Sequence, residues 1–217
     1  MPPADGNPSV QFLRLRVTRL GATGNAVTGA GNGFVSDNMI ELADSPDIER
    51  GQEILVRNGA GELCVDYRDP DIVKRRLLTL SICGVQDELF ELLEGASLIQ
   101  DGADTIGHAD PVLGEAPNPN GVAIEGWSKN LVGGSVDGTY PYFRWLWSKT
   151  YGWTRGEDRL LNGHTAWTFS GIAVENQGMR EDGPFGDWDG PVDRVRAVYR
   201  SADALPTAGV GYVAVPA

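Results

Sequence analysis

Glycine interrupts this chain too often for long helices to form. It supplies 29 of the 217 residues and recurs from end to end, against a usual share of about 7%. In a helix interior each glycine costs roughly 0.5–1 kcal/mol relative to alanine, whereas a tight turn favours it. Between the glycines, apolar and polar residues mostly alternate, the period of a half-buried strand. The expected fold is therefore turn-rich and mainly β: a β-sandwich or partly closed barrel with one short flanking helix and long loops. A chain of this length buries enough apolar surface for one core, so residues 1–217 are expected to form a single domain.

The first residues, 1–9, are polar and proline-rich and read as a loose N-terminal arm. Val10 to Leu20 alternates as a strand, with Arg14 and Arg16 between Leu13, Leu15 and Val17. Residues 21–33 hold five glycines among small side chains and read as a flexible loop. Phe34 to Ala43 reads as one short strand. Gln52 to Arg57 and Glu62 to Arg68 flank Asn58-Gly59-Ala60-Gly61, and Asn-Gly between apolar runs predicts a hairpin whose two turn residues take positive φ. Asp71 to Gly84 continues as a strand.

One helix is expected next. Asp87 is its cap, Glu88 and Glu91 sit near its positive end, Gly95 ends it, and Leu89, Leu92 and Leu93 share one face. Residues 103–121, with Pro111, Pro117 and Pro119, read as a long connection. Further strands are expected at Val122–Leu131, Tyr140–Lys149, Thr165–Asn176 and Val192–Tyr199, and a last one within Gly209–Val213.

The formal charge is −12, which works against tight binding of nucleic acid because phosphate is repelled. No apolar stretch approaches the ~18 residues of a membrane span, and the N-terminus has neither the basic nor the apolar region of a secretory leader. Cys64 and Cys83 lie in strand-like runs and read as buried free thiols of a protein made in a reducing compartment.

Reactive chemistry is thin. His108 beside Asp110 and His164 after Asn162-Gly163 read as surface turn residues; no nucleophile elbow accompanies them. The two histidines and two cysteines match no zinc spacing. Asp182, Asp187 and Asp189 cluster in a Gly- and Pro-rich turn that lacks the distal Glu of a calcium loop, so a structured turn is preferred over a cation site. Gly29, Gly31 and Gly33 do not form a phosphate cradle, because the run that follows is a strand rather than a helix. No catalytic residue, cofactor or metal is assigned. The enzymatic alternative is a sugar groove built from Trp145, Trp147, Trp153, Trp167 and Trp188 with nearby acids. Trp145 and Trp147 share a strand face, which a core or a seam between copies uses equally well.

Two stretches resemble a known family. Thr139 to Pro191 carries Tyr140-Pro141-Tyr142, Trp145, Asn162, the run Gly171–Asn176, and Gly183-Pro184 with Trp188. Val35 to Ala96 carries the Asn-Gly hairpin, Cys64 followed by Arg68-Asp69, and a strand joined to a helix. In these features the chain resembles the major tail tube proteins of long-tailed, non-contractile bacteriophages, especially those infecting actinobacteria. The resemblance implies a tail tube fold and self-association as stacked hexameric rings. It also implies a tape-measure protein in the lumen during assembly, and DNA passing through without specific binding. The location implied is the virion tail, after the host cytoplasm, with no membrane partner. The residues expected at contacts between copies are Gly24, Gly31, Phe34, Trp153 and Trp188. The alternatives are another virion component, a tail terminator or a capsid decoration protein, and a carbohydrate-binding or -hydrolysing β-sandwich domain.

Overall fold

A computed structural model describes residues 8–114, 118–157, 166–176 and 194–210. In chain order the elements are β1 (Ser9–Arg19), β2 (Gly33–Ser36), β3 (Met39–Glu49), β4 (Glu53–Arg57), β5 (Leu63–Arg68) and β6 (Ile72–Cys83). The helix α1 (Asp87–Glu94) follows, then β7 (Ser97–Asp101), β8 (Asp104–Ala109), β9 (Val122–Val132) and β10 (Ser135–Val136). The chain closes with β11 (Tyr142–Arg155), β12 (Ala166–Val174), β13 (Arg196–Ser201) and β14 (Gly209–Val210). No described helix is long and apolar enough to cross a membrane.

The main sheet is antiparallel and runs β14-β2-β1-β9-β11-β12-β6-β3, with β10 on β9 and β13 on β11. Its organiser is β11, the longest strand. The first half, Tyr142 to Trp147, pairs with β13 on one side and β9 on the other; from Lys149 onward the strand pairs with β12. Register shifts fall between Trp147 and Thr150 and between Tyr151 and Thr154. Such irregularities bend a strand and increase its twist. They let β11 serve both halves of the sheet, and the two halves face each other. Leu15, Val17 and Ile124 from one half and Leu78, Leu80, Ile82 and Phe169 from the other share one core, which Leu89, Phe90, Leu92 and Leu93 of α1 complete. The terminal strands β14 and β3 do not pair, so the arrangement is sandwich-like and the barrel stays open.

Two glycines in this frame are there for space rather than rotation. A Cβ on Gly171 would meet the Trp153 indole at 2.4 Å, and Trp153 is buried with its Nε1–H donated to Thr150 Oγ1 at 2.9 Å. A Cβ on Gly51 would meet the Asp69 carbonyl oxygen at 1.8 Å. Gly51 therefore marks a close backbone crossing between the β3–β4 and β5–β6 connections.

The structure departs from the sequence reading in several places. The run expected to be one strand at Phe34–Ala43 is two, β2 and β3, because the chain turns at Asp37–Asn38, where Asn38 N–H donates to Ser36 Oγ. Asp87 does not cap α1: Gln86 holds the cap position, no side chain caps it, and the Asp87 carboxylate accepts from His108 instead. The Asn58-Gly59 hairpin forms, but only Gly61 of its turn takes positive φ (83°), and Asn58 Oδ1 accepts from the backbone of Ala60 and Glu62. The connection expected at 103–121 opens with β8, which pairs with β7. Residues 21–33 fold back on β1: Val27 N–H donates to Arg19 O, and Leu20 bridges Ala26. Both cysteines are exposed, not buried, and neither forms a disulfide.

Candidate assembly surface

Beyond the end of the sandwich the β3–β6 ladder continues into a long arm. β6 pairs with β12 only as far as Arg76, so among the described residues Ile72 to Arg75 keep β3 as their sole ladder partner. At Gly51 and Asp69 the chain crosses itself, and among the described strands β4 and β5 then pair only with each other. Ion pairs run along this extension, Lys74 with Glu49 at 2.9 Å and Arg75 with Asp47 at 2.7 Å. Asp71 joins the base of the arm. It accepts from Gly51 N–H and from Arg68, which hold its carboxyl below the usual aspartate range.

The register of the hairpin, Ile54 opposite Tyr67 and Val56 opposite Val65, puts all four side chains on one face. The four are 41–54% exposed. The other face carries Glu53, Arg57, Asp66 and Arg68 among its residues. An isolated two-stranded hairpin is marginal in water. This one presents a largely apolar face without cover among the described residues.

A second uncovered surface lies beside α1. Ile106, Val112 and Leu113 are 63%, 65% and 98% exposed. Here His108, read from sequence as a surface turn residue, sits in β8 with its ring stacked on Phe90 at 4.3 Å. His108 and Asp87 share a hydrogen bond of 2.6 Å. Arg155 spans Asp110, Glu94 and the other ring nitrogen of His108. No hydroxyl or thiol stands at the histidine among these contacts; the cluster ties α1, β8 and β11 together.

The sandwich mouth holds a groove of about 450 Å³, lined among others by Phe12, Leu42, Asp44, Trp145, Trp147 and Arg196. It contains the tryptophan-and-acid combination of the sugar-groove alternative. Asp44 is engaged there by Arg76 at 2.5 Å, Arg196 at 2.8 Å and Trp147 Nε1 at 3.2 Å. Glu41, the other acid of the groove, lies on the same strand rather than across from it. These are the partners of a structural carboxylate.

The face of β1, β9 and β11 opposite the main core hides a polar cluster. Glu125 accepts from both Arg16 and Arg144, and all three are buried. The Arg16 and Arg144 guanidiniums each lie 5.5 Å from the centre of the Trp127 ring. Burial disfavours the Arg144 charge, but Glu125 outweighs it and the pKa stands above the ordinary arginine value. Burial also pushes the Tyr199 hydroxyl up to about 12, with Arg144 pulling the other way.

Of the residues expected at contacts between copies, Gly31 is exposed, whereas Gly24, Phe34 and Trp153 are buried inside the subunit. Phe34 and Trp153 belong to the core, and the Gly24 carbonyl accepts from Asn176. Trp188, His164 and the Asp182, Asp187 and Asp189 turn lie outside the described residues. No group of three or more potential metal-ligating side chains occurs among the described residues. Sequence reasoning placed the hairpin but did not single it out as an assembly surface. The signal was the unbroken match of Ile54, Val56, Val65 and Tyr67 on one face.

No family model and no curated protein matches the chain. Solved structures show remote likeness. The sheath/tube terminator of an extracellular contractile injection system in its extended state aligns at 14% identity and a TM-score of 0.32, covering 78% of this chain and 94% of that one. The tube-terminating cap of the anti-feeding prophage aligns at 16% identity and 0.30, covering 93% and 100%. A chain of the sheath–tube complex of an extracellular contractile injection system in its extended state aligns at 16% and 0.33, covering 77% and 88%. Likeness at this distance carries no argument about the fold or the role of this chain.

Proposed function

We propose that this chain is a structural component of a phage-tail-like tube and works by assembling with copies of itself. The observation that carries this reading is the β4–β5 arm, whose apolar face finds no cover among the described residues. A second apolar surface lies on different elements, at β8 and residues 112–113; a contact between two different surfaces is heterologous, and heterologous contacts close into rings or run on as filaments. The tail-tube assignment itself is supported by the resemblance of Val35–Ala96 and Thr139–Pro191 described above. On this reading six copies form a ring, rings stack, and the lumen holds a tape-measure protein before it conducts DNA.

A ring that ends such a tube, the tail-terminator alternative named above, is the second reading. Electron microscopy of the purified chain over a range of concentrations separates the two. Tubes with a regular axial repeat support the repeating subunit; discrete rings that do not elongate support the terminator. Monomers under every condition would remove both. The companion sample is Val56→Glu with Val65→Glu, which should abolish assembly while leaving the melting temperature of the body unchanged.

A further inference from the structure

If copies assemble through the arm, the arm needs a seat. We propose that the arm of one copy docks on the β7–β8 hairpin and residues 110–113 of the next, with Arg57 meeting the Asp101–Asp104 pair. This rests on the assembly reading above and specifies its partner surface.

Charge supplies the first argument. Asp101 and Asp104 stand directly opposite each other at the hairpin tip, and like charges in that position destabilise a strand pair. Neither carboxylate has a hydrogen-bond or ion-pair partner among the described residues. Their own segment supplies none, because no lysine or arginine occurs between Leu77 and Ser128. Arg155, which packs beside β8, is already committed to Asp110, Glu94 and His108.

The arm presents the complement. Arg68, Lys74 and Arg75 are each paired with an acid along the arm. Arg57, at the arm's tip, is different: it donates to the Gly61 carbonyl of its own turn and makes no ion pair among the described residues. An unneutralised cation at one hairpin tip and an unneutralised acid pair at the other are complementary. Apolar area supplies the second argument. The arm's uncovered face (Ile54, Val56, Val65, Tyr67) meets an uncovered counterpart in Ile106, Val112 and Leu113. Burying such faces together supplies the affinity, and the charge pair sets the register.

Val65 lies on the arm's apolar face, so a cysteine there makes the test direct. A chain carrying Cys64→Ser, Cys83→Ser, Val65→Cys and Ile106→Cys is assembled, mildly oxidised and run under denaturing, non-reducing conditions. Docking as proposed gives a ladder of dimers, trimers and higher species that vanishes on reduction, while the same chain without Ile106→Cys gives at most dimers. In parallel, Arg57→Glu should raise the concentration needed for assembly by about tenfold, a single strong charge contact. Adding Asp101→Arg and Asp104→Arg to that chain should bring the concentration back to within about threefold of wild type. Wild-type assemblies with neither ladder nor charge rescue would place the seat elsewhere and overturn this proposal while leaving assembly intact. A wild-type chain that stays monomeric would overturn the assembly reading, and this one with it.

Discussion

Glu125 shows how much one buried side chain holds in place. It neutralises Arg16 and Arg144, and the two guanidiniums in turn pack against Trp127. Removing one member of such a cluster leaves uncompensated charge in a site shielded from water, at a cost of about 3–5 kcal/mol. Glu125→Gln should therefore lower the unfolding free energy by that amount in a denaturant titration; a loss below about 1 kcal/mol would show that water reaches the cluster. Gly171 tests steric room instead. Its missing side chain is occupied by the Trp153 indole, so Gly171→Ala should cost about 1–3 kcal/mol through overpacking and shift the tryptophan fluorescence. Tyr199 offers a pH signature. Its folded value of about 12 lies above the ordinary 10. The unfolded chain loses this proton first as pH rises, so the contribution is fully present below pH 10 and is lost between pH 10 and 12. Stability should fall across that window, and Tyr199→Phe should flatten part of the fall. Little of this was visible in the alternation of β1, because a period of two shows which residues share a face and not which face is covered. Arg16 falls between the apolar Leu15 and Val17 of β1 and is buried all the same.

At the scale of elements, the hairpin, the helix and most strands follow from local chemistry. Asn58 and Gly61 make the β4–β5 turn, Gly95 ends α1 in the left-handed conformation at φ 72°, and Leu89, Leu92 and Leu93 turn one face of α1 into the core. The misreadings have a common origin in contacts between distant segments. Asp87 has the chemistry of a helix cap, yet His108, brought alongside by the β7–β8 hairpin, takes its carboxylate. The continuation of β11 past Lys149 depends on β12 as a partner, which no local pattern announces. The arm yields its own prediction. Gly51→Ala puts a methyl group into the Asp69 carbonyl, so the base of the arm must open while the sandwich core is untouched. Amide exchange should accelerate selectively across residues 50–71, with assembly lost and the protection of β9 and β11 retained. Phe90→Ala is the contrasting case. It removes the ring that packs on His108, Trp167 and Phe169 and should destabilise the whole subunit by about 3–5 kcal/mol.

At the scale of the molecule, the subunit is a folded sandwich carrying an unfinished surface. The core of α1 and the facing sheet halves accounts for its stability, and the arm contributes nothing to that core. Substitutions on the arm should therefore separate assembly from folding. Tyr67→Asp is expected to leave the thermal midpoint within about 2 °C of wild type and to abolish higher-order species in light scattering, since an exposed substitution costs little in the free subunit. Glycine content, alternation and turn residues were enough to determine a mainly β chain with one short helix, because strand, turn and cap preferences act over a few neighbouring residues. The tertiary structure decided which polar residues are buried, where β11 changes partners, and that the β4–β5 hairpin stands clear of the body. Each of these depends on segments far apart in sequence competing for the same space, and nothing in a local pattern records the outcome of that competition.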